Sequence, residues 1–502
     1  MSEPFTTYTS LVLDDFLDGL GFSETDIVER QNFMEKLSVV TTLFARSIRK
    51  RRDIDRIYVG SQREGIGLDH ISDIDVIQVY KSVSCVEDVA DIEESTLCFH
   101  LDGKHTAAGH FFLRLLNEDT KLQVFQAFRH AFKENNGKLY ISSELFMSKN
   151  DDVFAAGKGL TSTNTCYMDR KGPSIPRYEK YDRLDEAFFK HFHQDFLVDK
   201  VDYVRGFPCY VPSILQAWKT RKRLCNWPSI KTIEKVSSLP AFVVPVAEKR
   251  TKKKDLQWRI CFTLGELCLV QSLNNTHMKV YGALKFVSKH ILNPNSADCQ
   301  ITSFMVKNVM FWQAEEKPQE KFKPEFLWLR IEEALGFLKV CINAKHLPYY
   351  MLPQRNLLKS RVTTHQQQLL TNKIDDLLQN GKCMFHELLQ SICCDPEDSE
   401  IMKAYDTHLL AYDMTKLGIL SESLLDVEQN VSHRVTGFHR TSRIMAYVNQ
   451  FCTFQIPMLI TYGLKVFIEP QSFKPLRQDH EMVKSIKEKE EIEYEQQCPK
   501  DI

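Results

Sequence analysis

Charge of one sign is what this chain most plainly lacks. Its 502 residues carry 65 Lys and Arg against 66 Asp and Glu, a formal net charge of −1. No global field draws it to a polyanion, so any basic surface has to be local. No stretch approaches the roughly 20 apolar residues of a membrane-spanning helix. The opening residues Met1-Ser2-Glu3-Pro4-Phe5-Thr6-Thr7 lack the basic and apolar regions of a secretion signal, so a cytoplasmic location without a membrane partner is expected. There is no internal repeat. The 14 cysteines are scattered, and Cys261, Cys268 and Cys341 sit in apolar runs, which suits reduced, buried thiols. The sequon Asn274-Asn275-Thr276 is then expected to be inert. What is present is ordinary for a globular protein, 43% hydrophobic and 26% charged, and is long enough for a large core and two or more lobes.

Chemistry concentrates in residues 59–80, Val-Gly-Ser-Gln-Arg-Glu-Gly-Ile-Gly-Leu-Asp-His-Ile-Ser-Asp-Ile-Asp-Val-Ile-Gln-Val-Tyr. The pattern predicts a tight turn at Gly60 and Ser61, an irregular loop through Gly65 and Gly67, and a strand from near Ile71 to Tyr80. Alternation along a strand puts Asp73 and Asp75 on one face, about 7 Å apart, with Ile74, Val76 and Ile77 available for burial. Two carboxylates so placed repel unless a cation lies between them, and a hard divalent ion with oxygen ligands is the usual answer. Backbone N–H groups around Gly60 and Ser61, with the Ser61 hydroxyl, offer a cradle for a phosphate. A D-x-D pair alone is more often a solvated turn, but the apolar run Val76, Ile77, Val79 that follows is not what a turn needs. Phosphate cradle followed by metal pair points to nucleotidyl transfer.

Upstream, residues 8–52 carry helical periodicity through Leu11, Leu13, Phe16, Leu20, Phe33, Leu37, Val40, Leu43 and Phe44, and end on Arg46, Arg49, Lys50, Arg51 and Arg52. This run is either a surface able to meet a polyanion or a solvated helix end. Leu97–Leu101 and Lys121–Ala127 read as strands, and residues 150–180 as a surface loop. His191 and His193, beside Phe192 and Phe196, read as packing residues. Residues 196–204 form a strand-like segment that holds Asp202, a candidate third carboxylate, with Asp199 as its competitor. A helix from 208 carries Lys219, Arg221, Lys222 and Arg223; Arg250, Lys252, Lys253 and Lys254 form a second basic group. From Trp258 to about 424 the pattern is helical, with 327–340 clearly amphipathic, and the last 25 or so residues read as a frayed helix or disordered tail.

Gly60-Ser61, Ser72-Asp73-Ile74-Asp75-Val76, Asp202-Tyr203-Val204 with Cys209, Trp227-Pro228-Ser229, Trp258-Arg259-Ile260, Ile301-Thr302-Ser303-Phe304-Met305-Val306-Lys307 with Phe311-Trp312, and Leu347-Pro348-Tyr349-Tyr350-Met351-Leu352-Pro353 together resemble the animal cyclic GMP-AMP synthase (cGAS)-like receptors, invertebrate type, within the Mab (male-abnormal) domain nucleotidyltransferases. The resemblance spans roughly residues 30–370. It implies an α+β fold, a bilobal nucleotidyltransferase core of mixed sheet and helices with an α-helical C-terminal lobe. It also implies N-terminal helices over 1–55 with a basic spine helix, the core over 56–260, the helical lobe over 261–424, an extension over 425–475 and a charged, disordered tail over 476–502. Carried over by motif, Asp73, Asp75 and Asp202 are the catalytic and metal-binding triad for Mg²⁺ or Mn²⁺. Gly60 and Ser61 touch ATP phosphates, Lys285 and Ser303 are nucleotide contacts, and Phe304 stacks on a base. Arg259, Thr263 and Glu266 match the acceptor-nucleotide segment.

The implied activity is synthesis of a cyclic dinucleotide from ATP and GTP, or other nucleoside triphosphates, in innate immune signalling. A nucleic acid lying on the basic spine is the implied trigger. The zinc module of the family's cGAS branch, one His then three Cys, has no counterpart between His277 and Lys285, so no zinc is expected and double-stranded RNA, recognised by shape and phosphates, is the expected activator. A dimer formed on the ligand is also implied. Cys261 stands where cGAS has Ser, and Lys279 and Lys289 compete with Lys285 for its role. The alternative is a catalytically silent Mab-domain scaffold; three retained, mutually repelling acids speak for the enzyme.

Overall fold

The computed structural model describes residues 3–49, 54–67, 74–88, 96–117, 122–148, 163–167, 172–181, 200–249, 251–293 and 301–394. Asp73, Asp199, the His191/His193 pair, Lys50–Arg52, Arg250 and everything after 394 lie outside these residues. The described part is mixed α/β, a sheet region followed by a helical C-terminal region.

Twelve described strands form the sheet: β1 (Ile54–Val59), β2 (Ile74–Tyr80), β3 (Val83–Val86), β4 (Leu97–Asp102), β5 (His110–Leu115), β6 (Phe132–Asn135), β7 (Lys138–Ile141), β8 (Thr163–Tyr167), β9 (Ser174–Tyr181), β10 (Lys200–Tyr210), β11 (Ala241–Val244) and β12 (Gln257–Cys261). The order runs β1-β2-β10-β11-β12-β5-β4-β3, and β10 also reaches β3. Strand β10 is the hinge of this arrangement. Its first half lies between β2, in parallel, and β9, antiparallel; its second half pairs with β3 and β11. β2, flanked by β1 and β10, is buried at every position except Asp75, as the apolar pairs Val76-Ile77 and Val79-Tyr80 require, with Gln78 buried between them. Beneath the sheet, Tyr80, Phe99, Phe128, Phe146, Phe207 and Trp258 pack ring against ring, with centroids 5.0 Å (Phe207–Trp258) to 5.9 Å (Tyr80–Phe146) apart.

The described helices are α1 (Glu3–Leu17), α2 (Glu24–Arg49), α3 (Gly60–Arg63), α4 (Gln123–Phe128), α5 (Ser143–Ser148), α6 (Pro212–Lys219), α7 (Ile230–Ser238), α8 (Thr263–Val270), α9 (Asn275–Phe286), α10 (Ser303–Glu316), α11 (Leu327–Asn343) and α12 (Thr364–Cys394). Their starts are written in the sequence. Ser229, Asn274 and Thr302 cap α7, α9 and α10 by accepting from backbone N–H groups of Thr232, His277 and Met305. α9 and α10 are buried on nearly every side, Lys279 of α9 and Lys307 of α10 included.

Several sequence expectations change. The described part of the 8–52 stretch, up to Arg49, forms two helices, because the chain widens over Asp18–Phe22 and Gly21 takes a positive φ of 83°. Lys121–Ala127 is not a strand: Gln123–Phe128 is helical, and the i,i+3 pair Phe125 and Phe128 faces the core. The polar 150–180 stretch holds strands β8 and β9, a hairpin joined around Gly172, and β9 adds to β10. The helix expected from 208 begins only at Pro212 and ends at Lys219, since Pro208 and Cys209 still belong to β10.

Candidate active site

Pairing of β1, β2 and β10 assembles the acids. Val59, the last residue of β1, lies opposite Asp75, and Asp202 is the parallel register partner of Asp75 on β10. Register partners on neighbouring strands share a face and lie about 5 Å apart, so the carboxylates of Asp75 and Asp202 stand side by side. Along that face come Ile57, Val59, Ile77, Val79 and Val204, which pack with Phe242 and with Leu264 of α8. The acids thus end an apolar strip, both half-buried. Asp73, two residues before Asp75 in the chain, is outside the described residues, as is Asp199.

Gly60 sits directly against Asp75. Its φ is +71°, and a Cβ built on it would fall 2.1 Å from Oδ2 of Asp75; no side chain fits between this backbone and that carboxylate. From Gly60 the chain makes the single turn of α3, and the Ser61 carbonyl accepts from the N–H groups of Ile66 (3.1 Å) and Gly67 (2.7 Å), which closes the loop. The loop is fixed from behind by α2. Arg30 donates through Nε to the Gly65 carbonyl at 2.9 Å, Gln31 Nε2 donates to the Glu64 carbonyl at 2.9 Å, and Arg63 pairs with Glu35 at 3.0 Å.

On the other side the loop meets the helical region through charges that are fully buried. Lys307 of α10 donates to Oε1 of Glu64 at 2.7 Å and to Oε2 of Glu266 at 2.6 Å. The remaining oxygens accept from tyrosine hydroxyls, Glu64 from Tyr281 at 3.0 Å and Glu266 from Tyr349 at 2.5 Å. Burial works against the Lys307 ammonium, but the carboxylates of Glu266 and Glu64 outweigh it and hold its pKa above the ordinary lysine range. Burial likewise raises the two tyrosine hydroxyls, reinforced by their carboxylate partners. Glu266, expected among nucleotide contacts, therefore has both oxygens committed to protein groups.

Lys285 of α9 donates to the Ile66 carbonyl at 3.4 Å. Burial brings its pKa down to about 8, opposed by Glu64 and, more weakly, by Asp75, whose field therefore reaches it. Of its competitors, Lys279 is withdrawn: it is buried, ion-paired to Asp14 and Asp18 at 2.7 Å each. The carboxylates of Asp14, Asp15 and Asp18 come within 4.8 Å of one another, and this ammonium answers their charge. Phe304 lies 5.5 Å from the Tyr349 ring, with Lys307 Nζ 5.3 Å from its own centroid. Ser303 is exposed beside it at the start of α10, while Thr263 opens α8 and Arg259 stands on β12. His277 completes the α9 cap with Asn274 and stacks on Phe322 at 3.6 Å.

Sequence reasoning missed Glu64, Tyr281, Lys307, Tyr349, Arg30 and Gln31. A lysine beside Asn308 inside the mostly apolar 304–312 run was the available signal. The basic runs also resolve differently. Arg221 pairs with Glu315 at 2.6 Å and lies over Trp312, and Arg223 pairs with the same carboxylate at 3.2 Å, so both serve packing. Lys219, Lys222, Lys252, Lys253 and Lys254 are exposed. Arg46 and Arg49 lie in the last turn of α2.

Residues 277–376, from the α9 cap into α12, match the family model of the Mab-21 protein HhH/H2TH-like domain. The segment holds Tyr281, Lys285, Ser303, Phe304, Lys307 and Tyr349 of the arrangement above. The match supports a place for the chain in the Mab-21 and cGAS-like nucleotidyltransferase superfamily.

Proposed function

We propose that this protein is a metal-dependent nucleotidyltransferase that joins ATP and GTP, or other nucleoside triphosphates, into a cyclic dinucleotide second messenger when it senses a nucleic acid. Double-stranded RNA is the proposed trigger, and innate immune signalling the setting. The observation that carries the reading is the register of Asp202 with Asp75 over the backbone of Gly60. Paired carboxylates on one face, open at Gly60 to a phosphate, fit a hard divalent ion, and Asp73 is the proposed third ligand. Mg²⁺ or Mn²⁺ held there supplies activation of the attacking ribose hydroxyl and charge neutralisation at the leaving pyrophosphate.

The chain's own residues do the rest. Gly60 and Ser61 offer N–H groups and a hydroxyl to the donor triphosphate, and Lys285 adds an ammonium to the same side. Phe304 offers its ring to a base, with Ser303 beside it. Arg259 and Thr263 hold the second nucleotide, while Glu266 acts through Lys307 and Tyr349. The apolar strip behind the acids keeps bulk water from that side of the cleft. Exposed Lys219, Lys222 and Lys252–Lys254, with Arg46 and Arg49, supply local positive charge for RNA phosphates.

Product analysis by mass spectrometry tests this. Purified protein is given nucleoside triphosphates with Mg²⁺ or Mn²⁺, with and without long double-stranded RNA or DNA. A cyclic dinucleotide that appears with RNA, and falls at least about a hundredfold in Asp75→Asn and in Asp202→Asn, is the expected result. Product formed by Asp202→Asn at the full rate sinks the assignment, and silence of the wild type under every condition favours a scaffold.

A further inference from the structure

Two arginines in this protein flank the Gly109-His110 backbone, Arg259 by strand register and Arg355 by packing. Arg259 of β12 is in register with His110 of β5, and its Nε is buried without a hydrogen bond. Arg355 comes from the turn after Tyr350, a turn closed on itself by Tyr349 N–H donating to the Arg355 carbonyl and Arg355 N–H to the Leu352 carbonyl, both at 2.9 Å. Its guanidinium lies 5.2 Å from the Tyr349 ring centroid, and its Cδ packs on Gly109, the neighbour of His110. The two arginines therefore share one corner. Burial first and Arg259 second bring Arg355 down to about 10, and burial followed by the two arginines brings His110 down to about 4.

The acids that face this corner are engaged elsewhere. Glu266 gives its oxygens to Lys307 and Tyr349, and Glu248 is ion-paired with Lys359 at 3.1 Å. Among the described residues neither guanidinium has an ion pair. Like charges held together in a partly desolvated corner cost stability unless an anion joins them. A nucleobase edge is neutral and would leave the repulsion in place; a phosphate removes it and matches the planar guanidinium fork. The corner adjoins the candidate nucleotide site, since the ring under Arg355 is the one that touches Phe304.

We infer that Arg259 and Arg355 form a two-guanidinium site for a nucleotide phosphate, carried by a second nucleoside triphosphate or by the linear dinucleotide made from two. The nucleotide in this statement rests on the transferase reading; the unanswered charge pair does not.

The test uses the full chain in EDTA, so that no metal contributes, as wild type, Arg355→Gln, Arg355→Lys and Asp75→Asn/Asp202→Asn. Calorimetry compares ATP, GTP and pppApG, each beside its unphosphorylated form. At least one phosphorylated ligand should bind wild type and the acid variant about tenfold or more tightly than its counterpart. Arg355→Gln should lose most of that preference and Arg355→Lys part of it. Which ligand shows the effect separates triphosphate from linear dinucleotide. Without ligand, Arg355→Gln should melt at or above the wild-type temperature, and inorganic pyrophosphate should raise the melting temperature of wild type but not of the variant. No phosphate preference in wild type, an unchanged preference in Arg355→Gln, or a lower melting temperature with that preference intact overturns the inference. Loss of phosphate binding in a protein that makes no product would leave it standing while the transferase reading fell.

Discussion

Replacing Lys307 with methionine should be among the most damaging single changes this protein can take. The ammonium stands between Glu64 and Glu266, at 2.7 and 2.6 Å, with lysine and both glutamates buried. Methionine fills similar volume, so the change is chiefly electrical. Breaking a buried pair by removing one partner costs about 3–5 kcal/mol, and here two carboxylates are stranded facing each other, each left with a single tyrosine donor. The expected loss lies at the upper end of that range, a large share of the roughly 5–15 kcal/mol that holds a protein of ordinary stability together.

Guanidinium denaturation of wild type and Lys307→Met at pH 7 measures the loss directly. A triple variant, Lys307→Met with Glu64→Gln and Glu266→Gln, should be more stable than the single one, since it removes the stranded charges. Lowering the pH should restore part of the loss in Lys307→Met, because carboxyls that take up a proton no longer repel. A single variant within about 1 kcal/mol of wild type, or a triple variant that is worse, would refute the view that the lysine holds two acids together.

Gly60→Ala puts a methyl group 2.1 Å from Oδ2 of Asp75 at a φ of +71°; it should lower product formation about a hundredfold by displacing the carboxylate, while the melting temperature falls by only a few degrees. Nucleotide binding should weaken as pH rises through about 8, where Lys285 gives up its proton, and titration calorimetry on Lys285→Arg should show that dependence gone. Burial holds His277 neutral down to about 3, and burial with Arg355 and Arg259 holds His110 neutral down to about 4; the unfolded chain protonates both near 6.5, so stability should drop as pH falls below that value. At pH 5 the expected loss is about 2 kcal/mol per histidine, read as a shift in denaturation midpoint, and His277→Gln should flatten the slope.

Local pattern carried the sequence reading as far as the strand 74–80, the glycine turn before it and the helices from Thr263 on, because each is written in residues a few positions apart; the helical pattern expected from Trp258 starts too early, since Trp258–Cys261 belong to β12. It left Asp199 and Asp202 as rivals, because register decides between them and register is fixed by the pairing of β10 with β2 across more than a hundred residues of chain. The same limit hid Glu64, which finds Lys307 at a separation of 243 residues, and disguised Arg221, whose partner Glu315 is 94 residues away. A run of basic residues looks like surface until the acid that claims it is known. The Lys121–Ala127 segment failed differently: Leu122 and Val124 alternate as a strand would, and only the placement of Phe125 and Phe128 against the core selects the helix.

The loop from Gly60 to Gly67 is where these separate contacts converge. Its carbonyls at Glu64 and Gly65 are held by Gln31 and Arg30 of α2, its Glu64 side chain by Lys307 and Tyr281, and its first residue touches Asp75. Arg30 and Gln31 carry their hydrogen bonds in buried surroundings, where an unpaired carbonyl is costly, so the loop cannot shift relative to α2 without exchanging those partners for others. Nor can it shift relative to α10 without separating Lys307 from Glu64. A displacement of α2 and a displacement of α10 therefore both act on the backbone under the Asp75 carboxylate, and the geometry of the acid pair depends on helices that contribute no ligand to it.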